Sequence, residues 1–182
     1  MKKLAVVVAL VVVAGLNSRA QVLFDRILHA TNEPQNWLTY SGTTMGQRYS
    51  LLTEITPANV RGLELKWIYQ VQSLEKFEAT PLVVDGVMYT VAAPNDVIAL
   101  DAATGRVFWT YSYAPSTLAR LCCGRVNRGL AVLGHTIFMG TIDGHLIALD
   151  AKSGGLVWSI AVGGARPDTG YGFTMADRKS VV

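Results

Sequence analysis

The chain has 182 residues, of which 51% are apolar and 16% charged, with 17 Gly, 6 Pro and 2 Cys. This composition excludes a disordered chain, a collagen-like repeat and a disulfide-dense scaffold. Of the 16 Lys and Arg, Lys2, Lys3 and Arg19 lie in the first twenty residues and the other 13 balance 13 Asp and Glu, so the body of the chain has no electrostatic footprint for nucleic acid.

Residues 1–20, MKKLAVVVALVVVAGLNSRA, join a dibasic start to an apolar run of 13 residues, Leu4 to Leu16, and a small-x-small end at Ser18-Arg19-Ala20. This is the pattern of a secretory signal peptide cut before Gln21. The run is shorter than the roughly 20 residues that span a bilayer; an uncleaved anchor is the alternative reading. The expected location is the bacterial periplasm, where cysteines meet an oxidising environment.

The next signal is a repeat. Residues 98–109, IALDAATGRVFW, and residues 147–158, IALDAKSGGLVW, match at seven of twelve positions, so Asp101, Gly105 and Trp109 recur 49 positions later as Asp150, Gly154 and Trp158. Before each copy run short apolar segments broken by Asp85-Gly86, by Leu133-Gly134 and by Asp143-Gly144. Turn dipeptides of this kind between alternating hydrophobic runs predict hairpins, and each unit is expected to hold three or four antiparallel strands. In the Asp-x-x-Thr/Ser-Gly segment the carboxylate and hydroxyl are expected to bond local amides and form a further turn. Trp109 and Trp158 then enter a last strand, where a large ring can be buried against a neighbouring unit. A third, partial copy is expected to end at Trp67 in NVRGLELKW.

Four-stranded units of this length with a periodic Trp predict an all-β fold made of β-propeller blades. The stretch after residue 20 holds only about three such units, fewer than the four to eight that close a propeller. The expectation is therefore part of a larger ring over residues 21–176, with an aberrant tail at 177–182, DRKSVV, that continues no strand pattern.

Few residues carry chemistry. Cys122 and Cys123 are adjacent, with Cα atoms about 3.8 Å apart across a trans peptide, which is below the usual disulfide range. They are either a strained eight-membered disulfide ring or two free thiols. Arg128 offers a planar fork suited to a carboxylate or a quinone oxygen, or is a solvated surface residue. Glu78 precedes a strand, where its carboxylate accepts hydrogen bonds from a ligand or holds a cation, or simply faces water. Thr174, in GFTMA, has only its hydroxyl to offer. The three His residues, 29, 135 and 145, lack metal-ligand spacing, and His135 and His145 are expected at hairpin turns, facing solvent. No phosphate-binding Gly-rich loop or nucleophile elbow is present in the sequence.

Together these residues resemble those of the pyrroloquinoline quinone (PQQ) dependent alcohol dehydrogenases, the quinoprotein methanol and ethanol dehydrogenases. The resemblance runs from about Asn36 to Ala176. It is carried by NWLTYSGTTMGQRYSLLTEITPANVRGLELKW, by the two ALDA-x-T/S-G-x-x-x-W segments and, most specifically, by CCGRVNRG. It implies an eight-bladed propeller of which this chain is the N-terminal part. Cys122 and Cys123 would be a vicinal disulfide forming a flat wall against the quinone. Glu78 would hydrogen-bond the cofactor, Arg128 would lie near its oxygens and Thr174 on its carboxylate side.

The same resemblance implies oxidation of a small primary alcohol by hydride transfer to PQQ, with a calcium or lanthanide ion as Lewis acid and a cytochrome c as electron acceptor. It also implies a homodimer of the full-length protein. The metal ligands and the catalytic aspartate are expected beyond the chain end, so the isolated chain is expected to be inactive. The alternatives are a non-enzymatic periplasmic propeller scaffold, which needs neither the cysteine pair nor Glu78 and Arg128, and an inert truncated remnant.

Overall fold

The structure is a computed structural model that describes residues 21–121, 124–162 and 170–176. The expected signal peptide, the Cys122–Cys123 pair and the 177–182 tail lie outside the described residues.

Two four-stranded antiparallel sheets form the body. The first contains β1 (Leu82–Val84), β2 (Val87–Ala92), β3 (Asp96–Asp101) and β4 (Val107–Tyr111), each paired with the next. The second repeats it with β5 (Ala131–Leu133), β6 (Thr136–Gly140), β7 (His145–Asp150) and β8 (Leu156–Ala161). Strand starts correspond at the sequence offset throughout, Leu82 with Ala131, Val87 with Thr136, Asp96 with His145 and Val107 with Leu156. Even the irregularity recurs: the register shifts between Ala99 and Leu100 in one sheet and between Ala148 and Leu149 in the other.

Local chemistry explains the turns. Asp85 and Gly86 have φ of 48° and 83°, the pair of positive values that a two-residue hairpin with the native twist requires. At the β3–β4 turn the Asp101 carboxylate accepts from the Ala103 and Thr104 amides at 3.1 and 2.8 Å and from the Thr104 hydroxyl at 2.9 Å. Asp150 does the same for Lys152 and Ser153 at the β7–β8 turn. Those hydrogen bonds, led by the Thr104 and Ser153 hydroxyls, hold both carboxyls below their ordinary range.

The core lies between the sheets. Tyr89, Val91, Val97 and Ala99 face Ile137, Met139, Ile147 and Leu149, all buried. Alternation sends the other side of β3, Ile98 and Leu100, toward Trp67, Tyr69 and Val71. The expected partial third copy ending at Trp67 forms no strand; what recurs is the docking of its tryptophan, and Trp67, Tyr69 and Val71 pack on the first sheet.

Tryptophans lock unit to unit. The Trp109 indole N–H donates to the Ala151 carbonyl at 3.1 Å, and the ring lies so close to Gly154 that a Cβ there would come within 2.5 Å of it. The Trp67 indole donates in the same way to Ala102 at 3.2 Å, against Gly105. Each Trp therefore docks on the turn of the following unit. Trp158 has no following unit among the described residues; it is 37% exposed, on a β8 whose residues all face solvent.

The N-terminal stretch crosses both sheets. A short helix, α1 (Phe24–Leu28), buries Ile27, Val22 pairs with Gly134 and Trp37 pairs with Val83. Arg26 joins Glu33 at 2.6 Å and Asp85 at 2.8 Å, and Asn36 bridges the same two carboxylates. This fastens α1 to the first hairpin. The sequence reading assigned no element here.

Candidate functional site

The site is built where the segments preceding the first strand of successive units run side by side. Thr80 and Gly129 form a parallel bridge, the Thr80 amide donates to the Arg128 carbonyl at 3.0 Å, and the Arg128 amide donates to the Thr174 carbonyl at 3.1 Å. Three neighbouring pieces of chain thus deliver Glu78, Arg128 and Thr174 to one place.

Arg128 is the centre. Its Nη2 lies 2.9 Å from Glu78 Oε2, and its Nη1 donates to the Thr174 hydroxyl and carbonyl, both at 3.1 Å. Three of the five residues singled out in the sequence therefore meet, while Cys122 and Cys123 lie outside the described residues. Their loop returns at Gly124, four residues before Arg128.

The Arg128 and Glu78 side chains remain 36% and 34% exposed. An ion pair so open to water contributes about 0–1 kcal/mol, so an incoming anionic or carbonyl oxygen can share the guanidinium at little cost. The donor set suits a flat oxygen-rich ligand: a planar fork of N–H groups, a hydroxyl able to donate or accept, and one carboxylate acceptor. These groups fit PQQ, whose rim carries carboxylates and quinone oxygens.

Sequence reasoning missed the residues that brace Arg128. Asn127 is buried; its amide donates to the Gly140 carbonyl at 2.9 Å, and its oxygen accepts from the Gly129 amide at 3.1 Å. Asn95, equally buried, donates to the same Gly140 carbonyl at 3.4 Å and accepts from the Ile142 amide at 3.2 Å. A buried polar side chain must find partners, and an Asn beside a site Arg was the available signal. The expectation that His145 faces solvent needs correction. Its side chain is 32% exposed and lies 3.5 Å from buried Asp143, beside Tyr113, because the loop after β4 folds back over the β6–β7 turn. His135 is exposed, as expected. Among the described residues no three His, Cys, Asp or Glu side chains are grouped to hold a metal ion.

The model of the PQQ glucose/ethanol/alcohol dehydrogenase beta-propeller domain matches residues 37–166. The chain belongs to this family of PQQ-dependent dehydrogenases. It is 46% identical over 138 residues to the dehydrogenase subunit of the quinone alcohol dehydrogenase of Gluconacetobacter polyoxogenes, a match covering 75% of this chain and 19% of that protein. It is 45% identical over 124 residues to the 1-butanol dehydrogenase (cytochrome c) of Thauera butanivorans, covering 67% of this chain and 18% of the relative.

Among solved structures it resembles quinohemoprotein alcohol dehydrogenase ADHIIG from Pseudomonas putida, with a TM-score of 0.81 and 42% identity over 86% of this chain and 23% of that one. The chain thus spans about a fifth of the length of these relatives, and the family's propeller architecture accounts for its two blades and docking tryptophans.

Proposed function

We propose that the chain is the N-terminal part of a periplasmic PQQ-dependent alcohol dehydrogenase, exported by residues 1–20, and that Glu78, Arg128 and Thr174 hold one edge of the cofactor. The observation that carries this reading is the convergence of those three side chains from three successive units on the Arg128 guanidinium. The relatives' names support it: one is a quinone alcohol dehydrogenase subunit and another a cytochrome c-linked butanol dehydrogenase.

Arg128 would orient the ligand, its N–H groups meeting oxygens while the Thr174 hydroxyl satisfies a neighbouring one. Glu78 would hold the guanidinium in place and accept a hydrogen bond from the ring system. Cys122 and Cys123, joined as a vicinal disulfide, would offer a flat polarizable wall on which a planar ring gains contact area. PQQ, when bound, supplies the quinone that accepts a hydride from a small primary alcohol, helped by a calcium or lanthanide ion, with a cytochrome c taking the electrons. The substrate base and the metal ligands are assigned to no residue of this chain.

The test is PQQ binding followed by quenching of protein fluorescence, together with alcohol-dependent dye reduction by the full-length protein. Saturable binding that Arg128→Ala weakens at least tenfold is expected. Absence of PQQ- and alcohol-dependent reduction in the full-length protein would overturn the reading. Reduction should add two hydrogens by mass at Cys122-Cys123; a pair of free thiols would remove the proposed wall.

A further inference from the structure

Asp143 is a carboxylate that the site just described does not use, and its side chain is only 4% exposed. Burying a charge is costly unless donors surround it. Here the Ser116 amide donates to Oδ2 at 2.8 Å, the Tyr113 hydroxyl lies 3.1 Å from both oxygens and the Thr141 hydroxyl donates to Oδ1. Burial opposes ionisation, yet these hydrogen bonds and nearby His145 together hold the carboxyl below its ordinary range.

Two of these donors, Tyr113 and Ser116, sit on the loop 112–121 that follows β4 and leads to Cys122. That loop contains no strand or helix. Apart from the Tyr113 amide on Asp96 at 3.3 Å, the described hydrogen bonds from the loop to the rest of the fold end on Asp143 and His145.

The turn that carries Asp143 holds the other site segments as well. The Gly140 carbonyl accepts from Asn127, next to Arg128, and the Thr141 carbonyl accepts from the Phe173 amide at 2.9 Å, next to Thr174. One turn therefore fixes the segments bearing Arg128 and Thr174 and the loop leading to the cysteines. We propose that Asp143 is a positioning residue for the candidate site, its carboxylate anchoring the loop 112–121 against the turn that also holds the segments bearing Arg128 and Thr174. Its purpose rests on the PQQ reading; the anchoring itself does not.

Trypsin reports the anchoring without any cofactor, because a loop that opens locally is cut faster. Arg120 is exposed within the loop, and Arg61 is exposed outside it, in the segment before the first strand. Asp143→Ala should speed cleavage after Arg120 at least tenfold and leave cleavage after Arg61 unchanged. Asp143→Asn keeps one acceptor oxygen and should recover most of the protection, and Tyr113→Phe should give an intermediate rate. An unchanged rate at Arg120, or an equal rise at Arg61 and Arg120 in the two milder variants, overturns the proposal. In parallel, Asp143→Ala should raise the PQQ dissociation constant at least tenfold, with Asp143→Asn in between. Failure of the unsubstituted full-length protein to bind PQQ would count against the functional reading while leaving the cleavage result to decide the anchoring.

Discussion

The tryptophan lock makes a quantitative expectation that two glycines can separate. Gly154 and Gly86 both have positive φ, 72° and 83°, so alanine at either position costs about 1 kcal/mol in backbone conformation. Their surroundings differ. A Cβ at Gly86 meets nothing within 4 Å, whereas at Gly154 it comes within 2.5 Å of Trp109 Cε3 and 2.6 Å of Cδ2.

The ring must leave. It then loses the hydrogen bond to Ala151, about 1 kcal/mol net, the tilted contact with Tyr89 at 5.9 Å, about 0.5–1.5 kcal/mol, and part of its burial. The Ala151 carbonyl keeps the Tyr89 hydroxyl as donor at 3.1 Å, so no buried acceptor is orphaned. Gly154→Ala should therefore destabilise by about 3 kcal/mol against about 1 for Gly86→Ala. Urea unfolding followed by tryptophan emission measures both, and the displaced indole should redden the native spectrum only in Gly154→Ala. In a Trp109→Leu background the cost of Gly154→Ala should fall back toward that of Gly86→Ala, the signature of a shared contact. Equal midpoints for the two single variants would refute the docking argument.

Other outcomes follow from the same geometry. Arg128→Ala should change folding stability by less than about 1 kcal/mol in urea unfolding, since its ion pair is open to water, and Arg128→Lys should fail to restore PQQ affinity because the fork to two neighbours is gone. Hydrogen bonding from Arg26, opposed by burial, holds Glu33 and Asp85 below the ordinary carboxylate range. Their contribution is therefore present above about pH 4 and lost as pH falls through the depressed folded values. Melting temperatures taken from pH 6 down to pH 3 should fall less steeply in Arg26→Gln, and an unchanged slope would count against the cluster.

At the alkaline end, burial and then the charges of Asp150 and Asp85 push the Tyr89 phenol up to about 12. Its stabilising share is complete below about pH 10 and disappears as pH rises toward the folded value, so Tyr89→Phe should narrow the drop in melting temperature between pH 8 and pH 11.

Much of the fold could be read from spacing. The recurrence of Asp101, Gly105 and Trp109 as Asp150, Gly154 and Trp158 marked both units, because turn chemistry and ring docking are local demands that recur with the strands. The helix α1 was not legible, since its five residues carry no side-chain cap and are held by Arg26 reaching Asp85, 59 positions away.

The site was legible only as a resemblance. Glu78, Arg128 and Thr174 are unremarkable singly, and what joins them is the parallel alignment of segments nearly fifty residues apart. His145 read as solvated, and Asp143 only as a turn residue, because Tyr113, which contacts both, and Ser116, which donates to Asp143, come from the previous unit. Alternation along one strand does not report what a loop folds over it.

The direction of the tryptophan lock also sets a schedule for synthesis. Trp67 finds its acceptor only when Ala102 and Gly105 have left the ribosome, and Trp109 waits for Ala151 and Gly154. Each indole thus stays unsheltered while the succeeding blade is being made, and docking closes the earlier blade at the moment the later one acquires its turn. Order should pass from blade to blade as in a nearest-neighbour chain, with the newest tryptophan always the surface most in need of a chaperone.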